Sequence, residues 1–409
     1  MGENMKILFI GGIYPKNKEK EYYSNSKIGL QAAANAWQWN LVEGFEHNLE
    51  DSIDILSAVF IPPFPKGYKK PWIDSYFWSH TETSCDYNVS FLNILVIKNF
   101  FREINIKRYI KKWIQKHKDQ NSVIVVYSPH VPFLKSLKIA KKHRIKTCLI
   151  VPDLPQFTGT IYMKNPLYRI AKKLDLKLFK NSLKYIDKFV LFTKGMADKL
   201  ECNDNYIVVE GIADKSIANY LIEEENNTKT VLYSGTLHAR YGIKVVVDAF
   251  QHIDDPNYRL IICGDGDSID YIQERAKVDN RIIFMGVKSR TDVIELQRKS
   301  TLLINPRPNN EEFTKYSFPS KTMEYMLSGK PVLCFKLDGI PTEYDDYLIY
   351  LDKLDPEAIA TKIVEIAELE PEIRKQLGEK SRDYVVENKN KEYQTQRIIR
   401  YILENRQNY

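Results

Sequence analysis

The feature that most constrains the fold of this 409-residue chain is the alternation of short apolar runs with longer helical tracts. The runs are four to six residues long, which is typical of buried strands. They include Met5–Ile10, Val123–Tyr127, Thr147–Val151, Lys188–Phe192, Thr230–Tyr233 and Arg259–Cys263. Strands that alternate with helices predict parallel sheets covered by helices. We therefore expect two doubly wound α/β halves.

A polar segment, IEEENNTK, separates the two halves. We place an N-terminal domain at 1–213, a linker at 214–229 and a second domain at 230–385. Residues 386–409 are expected to form a helix that crosses back to the N-terminal domain. The hydrophobic content of 44% is sufficient for two cores in a chain of this length.

The five cysteines stand singly, and no two of them have the spacing of metal ligands. Their odd number and scatter indicate a reducing compartment rather than a disulfide framework. The N-terminus lacks the charged-then-apolar pattern of a signal peptide, and no window is apolar enough for a membrane span. We expect a cytoplasmic protein whose membrane contact, if any, is peripheral.

Charge is distributed unevenly along the chain. The net charge is +7, yet residues 1–200 carry an excess of basic side chains and residues 201–409 an excess of acidic ones. A basic half faces either an anionic partner or only solvent. Nucleic acid is not expected as a partner because no recognition motif accompanies the basic residues.

The stretch 305–335 predicts a loop, a short helix and a buried strand. Pro319 and Ser320 are helix-start signals, and Gly329 followed by Pro331 is a stop signal. Lys321 would lie among the unpaired N–H groups of the first turn, which suit a phosphate. Glu324 would project on the same face one turn later, where it can bind ribose hydroxyls. The alternative is an ordinary capped helix with a surface lysine.

Three positions in the first half follow predicted strands, where ligands of parallel sheets bind. The pair Gly11-Gly12 follows the first strand, His130 follows Val123–Tyr127, and Asp153 follows Thr147–Val151. A glycine pair lets a ligand approach the backbone closely. The alternatives are a turn histidine that bonds to backbone and a loop-capping aspartate.

The segment PPFPKGYKKPWIDSYFWSH mixes aromatic side chains with three lysines and has no clear periodicity. Aromatic rings and cations together suit a loop at a membrane interface. Trp72 is therefore a candidate contact between this loop and a partner. The alternative is a loop whose rings pack on their own domain.

Four motifs of the second half occur together in order: SGTLHARYGIKVVVDAF, LIICGDGDSIDYIQ, IIFMGV and PSKTMEYMLSGKPVL. Together they resemble the second domain of family 4 glycosyltransferases, which are retaining enzymes. The resemblance covers roughly residues 205–340. It implies the GT-B fold, in which two Rossmann-like domains face each other across a cleft. It also implies a nucleotide-sugar donor on the second domain and an acceptor on the first. We assign Asp153 and Trp72 to the acceptor side.

The resemblance assigns roles to matching positions. It implies that Arg240, Arg307, Ser320 and Lys321 hold the diphosphate. Arg240 and Lys321, with His130, are the expected catalytic residues. Further donor contacts are implied for Gly12, Gly235, Thr236, Lys244, Gly264, Gly286, Val287, Tyr316 and Glu324.

Two positions depart from the family pattern. Tyr316 replaces the first glutamate of its Glu-x7-Glu motif, and Tyr241 replaces a lysine of the first donor loop. Asp265-Gly266-Asp267 has the form of a metal-binding Asp-x-Asp, but it lies in a glycine turn that the resemblance already explains. We therefore expect neither metal nor cofactor.

The expected function is hexosyl transfer from a nucleotide sugar to a glycan in cell-surface polysaccharide biosynthesis. The expected acceptor is linked to a lipid such as a polyprenyl diphosphate at the inner face of the membrane. The alternatives are a nucleotide-sugar epimerase or hydrolase, and a catalytically silent GT-B subunit, which the replacement at Tyr316 suggests.

Overall fold

The computed structural model describes residues 5–95, 97–157, 166–218 and 228–404. The chain divides into two compact units, one formed by residues 1–210 with 391–409 and the other by residues 211–390. The boundaries expected from sequence, after residues 213 and 385, lie within five residues of these divisions. The centre of the expected linker, residues 219–227, lies outside the described residues.

The first unit is an α/β layer structure. Its strands are β1 (Met5–Gly11), β2 (Asp54–Ser57), β3 (Trp72–Ile73), β4 (Tyr76–Trp78), β5 (Asp86–Asn88), β6 (Phe91–Leu92), β7 (Asn121–Tyr127), β8 (Lys146–Val151), β9 (Lys188–Leu191) and β10 (Tyr206–Val208). Its helices up to this point are α1 (Glu19–Asn25), α2 (Ala32–Leu49), α3 (Ile97–Lys116), α4 (Val131–Ser136), α5 (Lys138–Lys142), α6 (Pro166–Ser182) and α7 (Met196–Leu200).

Eight strands of this unit form one sheet in the order β10-β9-β8-β7-β1-β2-β5-β4, in which only the β4–β5 pair is antiparallel. The central strands are buried on both faces, which explains their continuous apolar sequences. Chain order reverses between β1 and β7. The segments after these strands therefore meet at the carboxyl edge of the sheet.

The second unit begins with β11 (Lys229–Thr236) and α8 (Ile243–Ala249). It continues with β12 (Tyr258–Asp265), α9 (Ile269–Val278), β13 (Ile282–Gly286), α10 (Arg290–Lys299), β14 (Leu302–Asn305), α11 (Ser320–Leu327), β15 (Val332–Phe335), β16 (Ile349–Leu351), α12 (Pro356–Ala367) and α13 (Pro371–Asn388). The six strands are all parallel, in the order β13-β12-β11-β14-β15-β16. This is the strand order of a Rossmann fold.

The helix expected at 386–409 is present and belongs to the first unit, but it begins at Lys391, later than predicted. The helix α13 ends at Asn388, and a separate helix, α14 (Lys391–Leu403), follows. The break has a local cause, because the carbonyl of Lys389 accepts a hydrogen bond of 2.7 Å from the N–H of Ala213, and Asn390 pairs with Ala213 as an isolated bridge. Such pairing requires extended backbone. The helix α14 then packs on α2 of the first unit.

The aromatic segment expected to be a loop contains two short strands. Trp72 and Ile73 pair with Leu92 and Phe91, and β4 pairs with β5. These pairings use partners that lie 8 to 20 residues further along the chain, so local periodicity does not reveal them. None of the helices in the described ranges is long and apolar enough to cross a membrane.

Candidate functional site

In the second unit, chain order reverses between β11 and β14, which are neighbours in the sheet. The loop after β11 carries Arg240, and the loop after β14 carries Arg307. The two loops touch at Gly242, which has a positive φ of 82°. A β-carbon at this position would lie 2.3 Å from the carbonyl oxygen of Pro306. Only glycine permits this approach, which brings both arginines to one edge of the sheet.

The two arginines share a pair of aromatic rings. The guanidinium carbon of Arg307 lies 4.5 Å from the ring centre of Phe313 and 5.5 Å from that of Tyr241. The guanidinium carbon of Arg240 lies 5.5 Å and 5.0 Å from the same two ring centres. Aromatic faces stabilise cations without neutralising them. The charges of both arginines therefore remain available to an anion.

Arg307 is the less satisfied of the two arginines. Its Nε and one terminal nitrogen are shielded from solvent and donate no hydrogen bond. Burial lowers the pKa of its guanidinium, and the charge of Arg240 lowers that pKa further. A buried guanidinium without an acceptor is costly, whereas a bound phosphate oxygen supplies a charge-assisted partner. This arrangement suits the binding of a diphosphate.

The helix α11 lies at the same edge of the sheet. The side chain of Asn305, at the end of β14, donates a hydrogen bond of 3.0 Å to the hydroxyl of Thr322. One turn later, the Tyr325 hydroxyl accepts a 2.7 Å hydrogen bond from the Ser234 N–H of β11. Pro319 stands at the N-cap and supplies no side-chain cap. The helix start is thus fixed against both switch-point strands, with its first N–H groups uncapped.

Lys321 and Glu324 lie on one face of α11, as the sequence predicts. The ammonium of Lys321 is 3.0 Å from Glu324 Oε1. The same oxygen accepts a 2.9 Å hydrogen bond from the amide of Gln297 on α10. Both side chains of the ion pair are partly exposed, so the pairing leaves them open to a ligand. Ser320 is exposed at the first position of the helix.

Asp267 stabilises the arginine loop. Its Oδ1 accepts a 2.9 Å hydrogen bond from the Ala239 N–H, and its Oδ2 lies 3.0 Å from His238 Nδ1. The hydrogen bond from Ala239 lowers the pKa of this carboxyl, with smaller contributions from Ser268 and His238.

Among the described residues, no group of three or more His, Cys, Asp or Glu side chains is placed to hold a metal ion.

Glycines of the second unit allow close backbone packing at this edge. Gly264 pairs with Gly235 in the β11–β12 ladder, and a β-carbon on Gly264 would lie 1.8 Å from the Gly235 carbonyl oxygen. Thr236, the exposed last residue of β11, accepts a 2.7 Å hydrogen bond through its carbonyl from the Tyr233 hydroxyl. Gly286 has a positive φ of 65° with open space around it, and the next residue, Val287, is 74% exposed.

Lys244 and Tyr316 are two further residues that the sequence predicts to contact the donor. The ammonium of Lys244 lies 5.0 Å from the ring centre of Tyr271, on α9. Tyr316 is half-buried at the end of a 3-10 helix, Glu312–Tyr316. This helix also carries Phe313. The roles of Lys244 and Tyr316 toward a donor stay predictions.

In the first unit, Gly12 is buried beneath Phe60. A β-carbon on Gly12 would lie 2.1 Å from this ring, and the Gly12 N–H donates a 2.9 Å hydrogen bond to Gln38. Asp153 is exposed in the turn after β8, and Trp72 is 43% exposed with its ring centre 6.0 Å from that of Phe101.

His130 is half-buried at the start of α4. Its Nε2 lies 3.4 Å from a terminal nitrogen of Arg102, and its ring makes edge-on contacts with Phe60 and Phe133. Burial lowers the pKa of His130 well below its usual range, and the charges of Arg102 and Lys98 lower it further. The imidazole is therefore neutral at neutral pH, with Nε2 as the acceptor and the proton on Nδ1.

Sequence reasoning missed Phe313, Gln297 and the role of Tyr241 as a ring beneath the two arginines. Tyr241 adjoins Arg240 in the sequence, and this proximity was the one signal that could have indicated its contact with the arginine. Phe313 and Gln297 lie on segments whose packing depends on the tertiary fold, so no local signal marks them.

Residues 217–384 match the family model described as glycosyl transferases group 1. The match spans most of the second unit, which is therefore similar to a group 1 glycosyltransferase domain. The arginine pair, the start of α11 and the Lys321–Glu324 pair all lie within the matched range. No curated protein matches the sequence.

Solved structures extend the likeness to nearly the whole chain. A glycosyltransferase from Rickettsia africae is 16% identical, with a TM-score of 0.64 over 99% of this chain and 100% of that one. The lipopolysaccharide outer core galactosyltransferase WaaB is 14% identical, with a TM-score of 0.62 over 97% and 99%. Anabaena Alr3699/HepE, solved with UDP, is 13% identical, with a TM-score of 0.60 over 97% and 99%. The fold of this chain is therefore GT-B, with two Rossmann-like units.

Proposed function

We propose that the protein is a retaining glycosyltransferase that moves a hexosyl group from a nucleotide sugar to a lipid-linked glycan. The half-buried guanidinium of Arg307, with two shielded nitrogens that lack hydrogen-bond acceptors, carries the donor part of this proposal. It lies at the switch point of a group 1 domain, where the oxygens of a donor diphosphate would satisfy it.

In the proposed reaction, the bond between the anomeric carbon and the diphosphate breaks and negative charge develops on the leaving nucleoside diphosphate. An acceptor hydroxyl oxygen forms the new bond to the anomeric carbon, and its proton passes to the leaving diphosphate. Arg240, Arg307, Lys321 and the first N–H groups of α11 stabilise that charge. Glu324, fixed by Gln297, binds the ribose. The charge of these groups suffices, so we propose that no metal or other cofactor takes part.

The acceptor is assigned to the first unit, where His130 and Asp153 follow strands at the carboxyl edge of the sheet. The basic excess of residues 1–200 supports an anionic acceptor. The similarity to WaaB, named as a lipopolysaccharide galactosyltransferase, supports an acceptor of cell-surface polysaccharide type. We place the reaction in the cytoplasm at the inner face of the membrane.

The test is a thermal-shift screen of the full chain against UDP, GDP, ADP and TDP sugars. UDP sugars come first because Anabaena Alr3699/HepE was solved with UDP. One nucleotide class should raise the unfolding temperature, and Arg307→Met should abolish the shift. Arg290→Met is the matched control, because Arg290 is an exposed arginine of the same unit that pairs with Asp214. An equal shift in the Arg307 variant would overturn the assignment.

A catalytically silent subunit is the alternative that Tyr316 favours, since the family glutamate is missing there. Such a subunit would bind the nucleotide but would not turn it over. Release of nucleoside diphosphate that depends on an added glycan acceptor separates the two functions. Release without any acceptor would instead indicate a hydrolase.

A further inference from the structure

The first unit contains a second group of basic side chains, formed by the cations Lys98 and Arg102 and the neutral imidazole of His130. These residues lie where the segments after β2 and β7 meet the start of α3. A terminal nitrogen of Arg102 donates a 2.5 Å hydrogen bond to the carbonyl of Val59, and the other lies 3.4 Å from His130 Nε2. Lys98 Nζ donates a 3.1 Å hydrogen bond to the carbonyl of Ile61.

No carboxylate of the described residues pairs with Lys98 or Arg102, although Arg102 is only 2% exposed. The nearby Glu103 is engaged by Lys107 and Lys135 instead. Arg102 Nε is shielded and has no hydrogen-bond partner. Buried arginines normally pair with an acid, because an unpaired buried charge is strongly unfavourable. The group therefore lacks an anion.

The pKa values reflect this missing counter-charge. Burial and, to a smaller extent, the charge of Arg102 together lower the pKa of Lys98 to about 7. Burial also lowers the pKa of Arg102 to about 9. An anion bound between these groups would reverse both shifts.

Apolar side chains stand exposed beside the cations. In and just before the first turn of α3, Leu95 is 54% exposed, Ile97 is 44% and Phe100 is 64%. Phe101, next in sequence, packs against the exposed Trp72 with ring centres 6.0 Å apart. Buried cations without an acid, flanked by exposed apolar groups, match a ligand with an anionic group and an apolar tail.

We propose that Lys98, Arg102 and His130 form a binding site for the diphosphate of an isoprenoid-linked acceptor. Its hydrocarbon chain contacts Ile97 and Phe100. This inference rests on the proposed function in assigning the acceptor to the first unit. Lys98, which is partly exposed, contacts the diphosphate directly, while the buried Arg102 contributes its charge and positions His130.

Calorimetric titration of the full chain with inorganic diphosphate tests the anion site. The wild type should show two binding sites, one in each unit. Lys98→Met should weaken one site at least tenfold, and Arg307→Met should weaken the other. Lys111→Met is the matched control, since Lys111 is exposed on the same helix, and it should retain both sites. Circular dichroism establishes that each variant is folded.

The variants separate the two proposals. If Lys98→Met binds diphosphate as the wild type does while Arg307→Met loses a site, the acceptor site is refuted and the nucleotide site stands. If only Lys98→Met loses a site, the acceptor site stands and the proposed nucleotide site fails.

Farnesyl diphosphate tests the source of the anion. It should bind the Lys98 site at least tenfold more tightly than inorganic diphosphate, and Phe100→Ser should remove that gain. Phe77→Ser, at an exposed phenylalanine of strand β4, should leave the gain unchanged. Equal affinities for the two compounds would refute the isoprenoid tail and assign the site to a water-soluble phosphorylated acceptor.

Discussion

The guanidinium carbon of Arg307 lies 4.5 Å from the ring centre of Phe313, on a 3-10 helix that the sequence did not predict. Arg240 approaches the same ring from a different loop, at 5.5 Å. Phe313 thus holds two like charges near each other without cancelling either one. This explains how the site keeps two cations together before any phosphate is bound.

We expect Phe313→Leu to weaken nucleotide binding about threefold to tenfold, because a cation over an aromatic face gains on the order of 1 kcal/mol. Phe313→Tyr preserves the aromatic face and should restore most of the affinity. Titration with the nucleotide identified in the screen measures both variants. Wild-type affinity in Phe313→Leu would contradict the role of the ring.

We expect Tyr325→Phe to lower the free energy of unfolding of the second unit by about 1–3 kcal/mol, the usual cost of a buried unpaired donor. The Tyr325 hydroxyl accepts from the N–H of Ser234 at 2.7 Å and donates to its carbonyl at 3.1 Å. Urea unfolding measures the change. Tyr23→Phe, at an exposed tyrosine, is the control and should have little effect. Equal stabilities of the two variants would show that water replaces the hydroxyl.

The sequence carried enough information for the two α/β halves, because parallel strands buried on both faces are continuous apolar runs. The helix at Ser320 and the strand at Val332 were also predictable, since proline, serine and glycine mark their ends. The pairing of β3 with β6 was not predictable, because it depends on residues far apart in the chain. The same holds for the break at Lys389, which is set by its contact with Ala213.

The residues of the candidate site also fall into those that local sequence signals mark and those that only the tertiary fold brings to the site. Residues at strand ends and at a helix start, such as Arg240 and Lys321, are marked by local signals. Phe313 and Gln297 reach the site only through the packing of separate segments. In the sequence, Arg102 is one of several cations of a basic helix, and no local signal marks it as buried. Its burial follows from tertiary packing against Val59 and Phe91.

Lys98 should make stability depend on pH. Its pKa is about 7 in the folded chain and 10.5 when unfolded. Between these values the unfolded chain binds more protons, so the free energy of unfolding rises with pH across this window. Arg102 and His130 face Lys98, and His130 stays neutral throughout this range because its pKa is far lower.

Lys98→Met removes this pH dependence. The variant should gain stability relative to the wild type most strongly at pH 6.5, and the gain should shrink by pH 9.5. Thermal unfolding midpoints at the two pH values measure the difference. Lys111→Met, at an exposed position of α3, should show no such change. A difference between Lys98→Met and the wild type that is the same at both pH values would contradict the burial of a charged ammonium.

Asp267 offers the sharpest test of metal-independent chemistry. Its carboxylate bonds to the Ala239 N–H and to His238, and it thereby holds the loop that carries Arg240. Asp267→Asn should therefore weaken nucleotide binding severalfold through misplacement of Arg240, because an amide can present only one of the two acceptors.

Metal ions should have no influence on that loss. We expect donor turnover to be unchanged in EDTA for the wild type, and added Mg²⁺ or Mn²⁺ to leave the Asp267→Asn variant impaired. Asp265→Asn, at the exposed neighbouring acid of the same turn, is the matched control and should bind nucleotide normally. Abolition of turnover in EDTA with recovery in Mn²⁺ would show instead that these aspartates hold a metal on the donor diphosphate, which is the other use of an Asp-x-Asp sequence in a nucleotide-sugar site.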